Sequence, residues 1–574
     1  MNQKRFIDVA AGRKKADLVF KNARIVNVFT REVVDGSIAV EQGKIAGIGA
    51  YQGRVEIDLN GQYAAPGLID SHVHIESALV SPEQFACLVL PHGTTSVIAD
   101  PHEIANVCGL GGIRYMIDAA REVPLDVYYM VPSCVPATRF ENAGAVLDAA
   151  AIESIMDHPD ILGLGEMMDY PSVVNAEDGT LAKLSAALVR HKLIDGHGPM
   201  LEGRQLTAYA AAGVQTDHEC STLEEMRDRL RLGMRVLIRE GSAAKNLAVL
   251  VKGVDADNSR RCTFCTDDKQ PEDIFKDGHI DFNIRLAAAN GLDPLTAIQM
   301  ATINAAEGYG LKGKGAIAPG YDADLVILEN LNTFAIKAVY KRGKKVAEDG
   351  IPLFQVSAPD SVTVRNTVNL PSLSLSSFKL KLTSDLVHVI HIHPDTLITE
   401  KAIRRVTRNK AGFFETERKL DIRKIAVIER HRGSGNIGLG LVEGYGVTNG
   451  AVGLSIAHDS HNLVIAGDSD EDMKLAAEEL GRIGGGIILV KDGRVLDTLP
   501  LPIAGLMTNE AAEKVNNDLQ RLNRRAYDEL SVNLGIDPIM MLSFLTLPVI
   551  PELKITDKGL FDVIAFDFID INTA

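Results

Sequence analysis

At 574 residues the chain exceeds what one hydrophobic core organises, so two to four domains are expected. A net charge of −16 argues against non-specific nucleic-acid binding, and the absence of a long apolar run argues against a membrane-spanning or membrane-bound protein. Met1-Asn2-Gln3-Lys4-Arg5 leads into no apolar signal core, and Cys87, Cys108, Cys134, Cys220, Cys262 and Cys265 lack the spacing of a disulfide scaffold, so a reduced, cytoplasmic protein is expected. Stretches 17–20, 23–28, 36–40, 44–48 and 55–58 read as short alternating strands of a small β unit. From 65 onward the character changes. Apolar runs such as 95–99, 127–131 and 161–165 alternate with helical stretches up to about 305, the pattern and size of a (β/α)₈ TIM-like barrel. Short strands return at 324–328, 335–340 and 344–346, placed to complete a sheet with the N-terminal ones. The Ser/Pro/Thr-rich stretch 357–377 reads as an extended connection, followed by strands at 424–428, 464–466 and 486–490 and a helix at 470–483. The expected α/β organisation is therefore a composite β-sandwich domain (1–64 plus 307–357), a barrel (65–306) and a C-terminal α/β domain (358–574).

His72 and His74 follow a Pro-Gly turn and a short apolar run. Residues i and i+2 of a strand share a face, so both imidazoles can reach one ion from one strand end. In a barrel the C-terminal strand ends share a rim, so the informative residues are those just past each apolar run. They are Asp100-Pro101-His102-Glu103 after 96–99, Glu166 after 162–165, and His197 in Asp195-Gly196-His197-Gly198-Pro199. His218 follows in Gln215-Thr216-Asp217-His218-Glu219, and Asp267-Asp268 follow Cys262-Thr263-Phe264-Cys265-Thr266. A single such histidine is more often structural than ligating. Four histidines and two carboxylates in barrel order are another matter: they suffice for two divalent ions bridged by a carboxylate. Two ions lower the pKa of a water bound between them toward ~7, so that a hydroxide exists at neutral pH, and a neighbouring carboxylate can pass the proton to a leaving group. The chain reads as a metal-dependent hydrolase.

This order resembles the amidohydrolase superfamily, in which strand 1 supplies His-x-His, strands 5 and 6 one histidine each, and strand 8 an aspartate. Members with two metals often bridge them with a carboxylated lysine on strand 4; Glu166 stands at that place here. The longer words His72-Val73-His74-Ile75-Glu76-Ser77, Asp100-Pro101-His102-Glu103-Ile104-Ala105-Asn106-Val107, Gly165-Glu166-Met167-Met168-Asp169-Tyr170-Pro171, Ile238-Arg239-Glu240-Gly241-Ser242-Ala243-Ala244 and Cys265-Thr266-Asp267-Asp268 resemble the bacterial adenine deaminase family, over the β unit, the barrel and the C-terminal extension. That resemblance implies hydrolytic deamination of adenine to hypoxanthine and ammonia, with two Mn²⁺ or Fe²⁺ ions per chain. His72, His74 and Asp267 would hold the first ion, His197 and His218 the second, with Glu166 and a hydroxide bridging. The hydroxide would attack C6 while ring N1 or N3 is protonated. Glu103 is the first candidate to carry that proton and to touch the base, with His102 and Asp100 beside it. Asp268 would bond the N7 edge, as the second aspartate does in the similar Thr-Asp-Asp segment of adenosine deaminases. Adenine is then the small-molecule partner, and a homodimer or higher homo-oligomer is expected. A related binuclear amidohydrolase acting on another aminopurine or a cyclic amide is the alternative.

Other signals weigh less. His74-Ile75-Glu76 with Cys262–Cys265 superficially matches the zinc cytidine-type deaminases, but Arg261 replaces the expected proline and the two halves lie far apart in the chain. Glu76 reads instead as the hydrogen-bond partner of a ligand histidine. His458 and His461, in Ala457-His458-Asp459-Ser460-His461-Asn462, suit either an ion or closure over the active site, though a hydrogen-bonded loop is the plainer reading; His431 is similar. Arg239 and Ser242 receive no role. A non-catalytic scaffold would have shed ligands, and here the set is complete.

Overall fold

In the computed structural model, which describes residues 2–394, 396–417 and 419–573, eight short parallel strands follow one another around a ring. They are β1 (Leu68–Val73), β2 (Thr94–Ala99), β3 (Asp126–Val131), β4 (Ile161–Met167), β5 (Leu193–Gly196), β6 (Thr216–Asp217), β7 (Arg235–Arg239) and β8 (Cys262–Cys265). Strands β1 to β5 form one arc and β6 to β8 another. The arcs meet where the Gln215 amide donates to the Ile194 carbonyl (3.0 Å) and where Val73 bridges in parallel to Asp267. Every residue of β1, β2 and β8 is buried, as expected of parallel strands covered by helices outside and packed side chains within. Polar members of these strands need partners. Asp70 of β1 accepts from the His72 amide (3.2 Å), the Thr266 amide (3.1 Å) and the Thr266 hydroxyl (2.5 Å), which locks β1 to the end of β8.

A nine-stranded sheet joins the segments on either side of the barrel, through antiparallel pairing of Leu325–Leu328 with Tyr63–Pro66. The two strands expected at 17–20 and 23–28 are one strand, Ala16–Asn27, with a register shift between Phe20 and Ala23. The polar pair Lys21-Asn22 interrupts the apolar pattern but not the ladder, because a bulge absorbs it.

The C-terminal region builds an eight-stranded sheet, which includes Ile422–Ile428, Leu463–Gly467, Gly450–Leu454 and Gly486–Lys491 as successive neighbours. The helix Asp470–Ile483 lies at the predicted bounds. The Ser469 hydroxyl caps it by accepting from the Asp472 amide (3.1 Å), Gly484 ends it at φ +81°, and Met473, Ala476, Ala477 and Leu480 pack on the sheet. Between Pro352 and Leu386 the described chain forms the short 3₁₀ turns Val362–Val364 and Leu375–Phe378 and an isolated bridge from Lys381 to Phe413.

This C-terminal region is bound closely to the barrel. One apolar core runs from Leu79, Val80 and Phe85 to Leu506, Met507 and Leu545. The Thr508 amide donates to Leu79 O, and the Ser81 amide to Thr508 O, both at 3.0 Å. Asn462 Nδ2 donates to Asn142 O (2.8 Å). Residues 455–462 are thereby held over the barrel mouth. No helix among the described residues is long and apolar enough to cross a membrane.

Candidate active site

The predicted ligand-type residues converge on the C-terminal rim. At the end of β1, His72 Nε2 and His74 Nε2 face each other at 3.2 Å, and Asp267 Oδ1 lies 3.0 Å from the latter and 3.7 Å from the former. Glu166, at the end of β4, stands between this group and the next. Its Oε1 is 3.3 Å from His74 Nε2, while its Oε2 is 2.7 Å from His197 Nδ1 and 3.2 Å from His218 Nε2. The His72 ring stacks on His218 with centroids 4.2 Å apart. All six of the predicted ligands are brought together. Glu219 joins them, with Oε1 3.5 Å from His218 Nε2.

The orientation of each group has a local cause. His74 Nδ1 donates to the Asp100 carbonyl (2.8 Å), which leaves Nε2 to face the cluster. Asp267 has φ +59°, and in that left-handed turn its amide donates to His72 O (3.0 Å) while its carboxylate points inward. Arg239 Nη1 donates to Asp267 Oδ2 (2.6 Å) and also to Glu219, so the other Asp267 oxygen stays free for the histidines. Asp100 Oδ2 accepts from the Glu166 amide (2.9 Å). A β-carbon on Gly165 would sit 2.1 Å from that oxygen, so only glycine lets Asp100 support Glu166 from behind.

Burial by itself would raise both carboxyl groups. Contacts with His102, His197, His218 and His74 override it at Glu166, and Arg239 with His72 and His74 at Asp267, so both lie well below the usual carboxylate range. Burial and then the neighbouring His218 push His72 down to about 4, which keeps that imidazole neutral. Ionised carboxylates and imidazole nitrogens aimed at a common space are what divalent cations require. The triads His72–His74–Asp267, His72–Glu166–His218 and His197–His218–Glu219 each bring three such atoms within 4.8 Å of one another.

Beside the rim lies a pocket lined by Glu103, Asp268, Ser77, Ser242, His458 and Phe544 among others. Ser77 Oγ donates to Asp268 Oδ1 (2.5 Å). His102 stands with the ligand cluster, its Nδ1 3.1 Å from Glu166 Oε1, while Asp100 serves the Glu166 backbone. One expectation is corrected: Glu76 does not reach a ligand histidine, because its Oε1 accepts from the Ile104 amide (3.2 Å) at the start of the helix His102–Ala119. Ser242 Oγ accepts from the Gln270 amide (2.9 Å) and donates to Asp273, which fixes the loop before the helix Pro271–Asp277. The role of Arg239 escaped the sequence because its partners come from the ends of two other strands.

Residues 63–346 match the model described as the amidohydrolase family, and residues 396–567 the adenine deaminase C-terminal domain. The chain is 52% identical over 562 residues to the adenine deaminase of Nitratidesulfovibrio vulgaris strain DP4, covering 98% of this chain and 97% of that one. It is 49% identical over 564 residues to the adenine deaminase of Clostridium acetobutylicum, covering 98% and 99%. The crystal structure of a triazine hydrolase variant aligns with a TM-score of 0.46 at 15% identity, over 58% of this chain and 96% of its own. At half identity over nearly the full length of its relatives, with a complete rim of ligand-type residues and both family modules in place, the chain belongs to the adenine deaminase family of amidohydrolases.

Proposed function

We propose that this protein converts adenine and water to hypoxanthine and ammonia at a centre of two divalent ions, manganese or iron. The observation that carries the reading is Glu166, an ionised carboxylate with one oxygen toward His74 and the other between His197 and His218, beside a pocket whose lining includes Glu103 and Asp268. In this reading His72, His74 and Asp267 would hold one ion, His197 and His218 the other, and Glu166 would stand between the two. When bound, the ions supply Lewis acidity that makes a water nucleophilic near neutral pH. Asp268, steadied by Ser77, bonds the N7 edge of the base. Glu103 carries a proton to the ring nitrogen as the new C6–O bond forms. The C6–N bond then breaks and the amine leaves as ammonia, so water supplies both the oxygen and the protons. Arg239 keeps Asp267 aimed, Asp100 keeps Glu166 in place, and His102 sits against Glu166.

The barrel of residues 65–306 carries this chemistry. Residues 1–64 with 307–357 form the composite β domain and 358–574 the C-terminal domain. A cytoplasmic homo-oligomer in purine salvage or catabolism fits the reaction. The test is ammonia release from adenine by the purified, Mn²⁺-loaded protein, together with metal content per chain. Turnover with two metals supports the proposal. Two metals without adenine turnover would overturn the substrate and send the search to other aminopurines and cyclic amides.

A further inference from the structure

Two histidines outside the barrel reach Glu103, and one of them, His458, also lines the pocket. The loop between Gly450–Leu454 and Leu463–Gly467 carries His458 and His461 to the barrel mouth. His458 Nδ1 lies 3.1 Å from Glu103 Oε1, and His461 Nε2 lies 3.1 Å from Glu103 Oε2. Each oxygen of that buried carboxylate therefore faces its own imidazole. The His458 ring stacks on Phe544, centroids 4.3 Å apart and planes within 18°, and its backbone is tied at both ends: the amide donates to Ser543 O (3.1 Å) and the carbonyl accepts from Thr546 Oγ1 (2.9 Å). His461 is fully buried and takes φ +54°, a left-handed conformation that costs a non-glycine residue ~1 kcal/mol. The buried guanidinium of Arg430 holds its carbonyl. Packing alone would not call for this arrangement, since apolar side chains fill such a space without desolvating two imidazoles and a carboxylate.

We propose that His458 and His461 are positioning residues for Glu103: the C-terminal region completes the active site by clamping the carboxylate of the barrel's proton carrier from both sides. The inference rests on the reading of Glu103 given above. Burial would raise the Glu103 carboxyl, but the two imidazoles outweigh it and hold it well below the carboxylate range. His458, though lowered by burial, is raised to about 9 by the same contact. His458 and Glu103 thus form an ion pair, burial pushes His461 down, and with one imidazole at each oxygen the carboxylate has one orientation.

A double-mutant cycle on the full-length, metal-loaded enzyme decides the matter. His458→Ala is expected to lower kcat by ~10–100-fold with KM changed only a few-fold and metal content intact. His458→Asn, whose amide nitrogen reaches where Nδ1 does, should recover part of that loss, as His461→Gln should relative to His461→Ala. In a Glu103→Gln background, His458→Ala should cost little more. The Asn and Gln variants, checked by their thermal unfolding midpoints, serve if the alanine variants fold poorly. An additive loss in the double mutant overturns the proposal. So does wild-type kcat in His458→Ala, or a third metal per chain that disappears in His461→Ala, which would make the cluster a metal site. If Glu103→Gln itself is near wild type, the reading of Glu103 has failed, and the clamp fails with it.

Discussion

The barrel rim and the loop 455–462 carry the same chemistry, imidazoles set against carboxylates, yet they hold it by different means. On the rim each group sits at or just past the end of a parallel strand, and the ladder that forms the strand also aims the side chain. Glu166 closes β4, and His72 lies within β1. The loop has no such ladder. Its histidines are held by contacts to Phe544, Ser543, Thr546 and Arg430, all distant in sequence. Groups held by a ladder repeat at a spacing legible in the chain; groups held by side chains do not.

The sharpest way to break the rim is Glu166→Ala. It should remove most bound metal and lower adenine turnover by more than ~100-fold; full activity with two metals retained would exclude the bridge. Glu103→Gln should separate chemistry from metal binding: metal content stays, while kcat falls ~10²-fold. Steady-state kinetics within a few-fold of wild type would remove Glu103 from the mechanism. Arg239→Met tests whether aiming a ligand matters as much as supplying one. Freed from Arg239, Asp267 should hold metal ~10–100-fold more weakly in a chelator competition; unchanged affinity would make Arg239 a packing residue only.

The smallest effect sharpens the other side of the comparison. Lys554, in the strand Leu553–Thr556, is fully buried, and its Nζ donates to Leu397 O (2.9 Å). Burial pushes its pKa down to about 7. The folded state disfavours the charged form, so the penalty is complete below about 7 and disappears as pH rises toward the unfolded value of ~10.5. Lys554→Met should therefore raise stability at pH 7 by ~1 kcal/mol or more and flatten the rise of the unfolding midpoint between neutral and alkaline pH. A midpoint that falls, with the slope unchanged, would show the ammonium to be stabilising.

Much of the fold was legible because its causes are local. Strand and helix periodicities marked the barrel, and the helix expected at 470–483 spans Asp470–Ile483. The strand Ala16–Asn27 read as two because a bulge carries Lys21-Asn22 through the ladder, and a bulge has no signature in a pattern of alternation. The partners of Glu76, Arg239 and His458 were hidden for a related reason. The Ile104 amide, the Asp267 carboxylate and Glu103 come from other elements, and nothing near these residues in sequence records which element packs beside them.

The amino-acid sequence by itself determined the strand ends of the barrel and hence which histidines and carboxylates meet at the rim, because a parallel strand projects its last side chains toward one common opening. Only the tertiary structure decided what stands behind and above them: Asp100 under Glu166, Arg239 on Asp267, and His458 with His461 on Glu103. Those contacts follow from how separate elements dock, and docking is set by the shape and burial of whole surfaces rather than by any spacing along the chain.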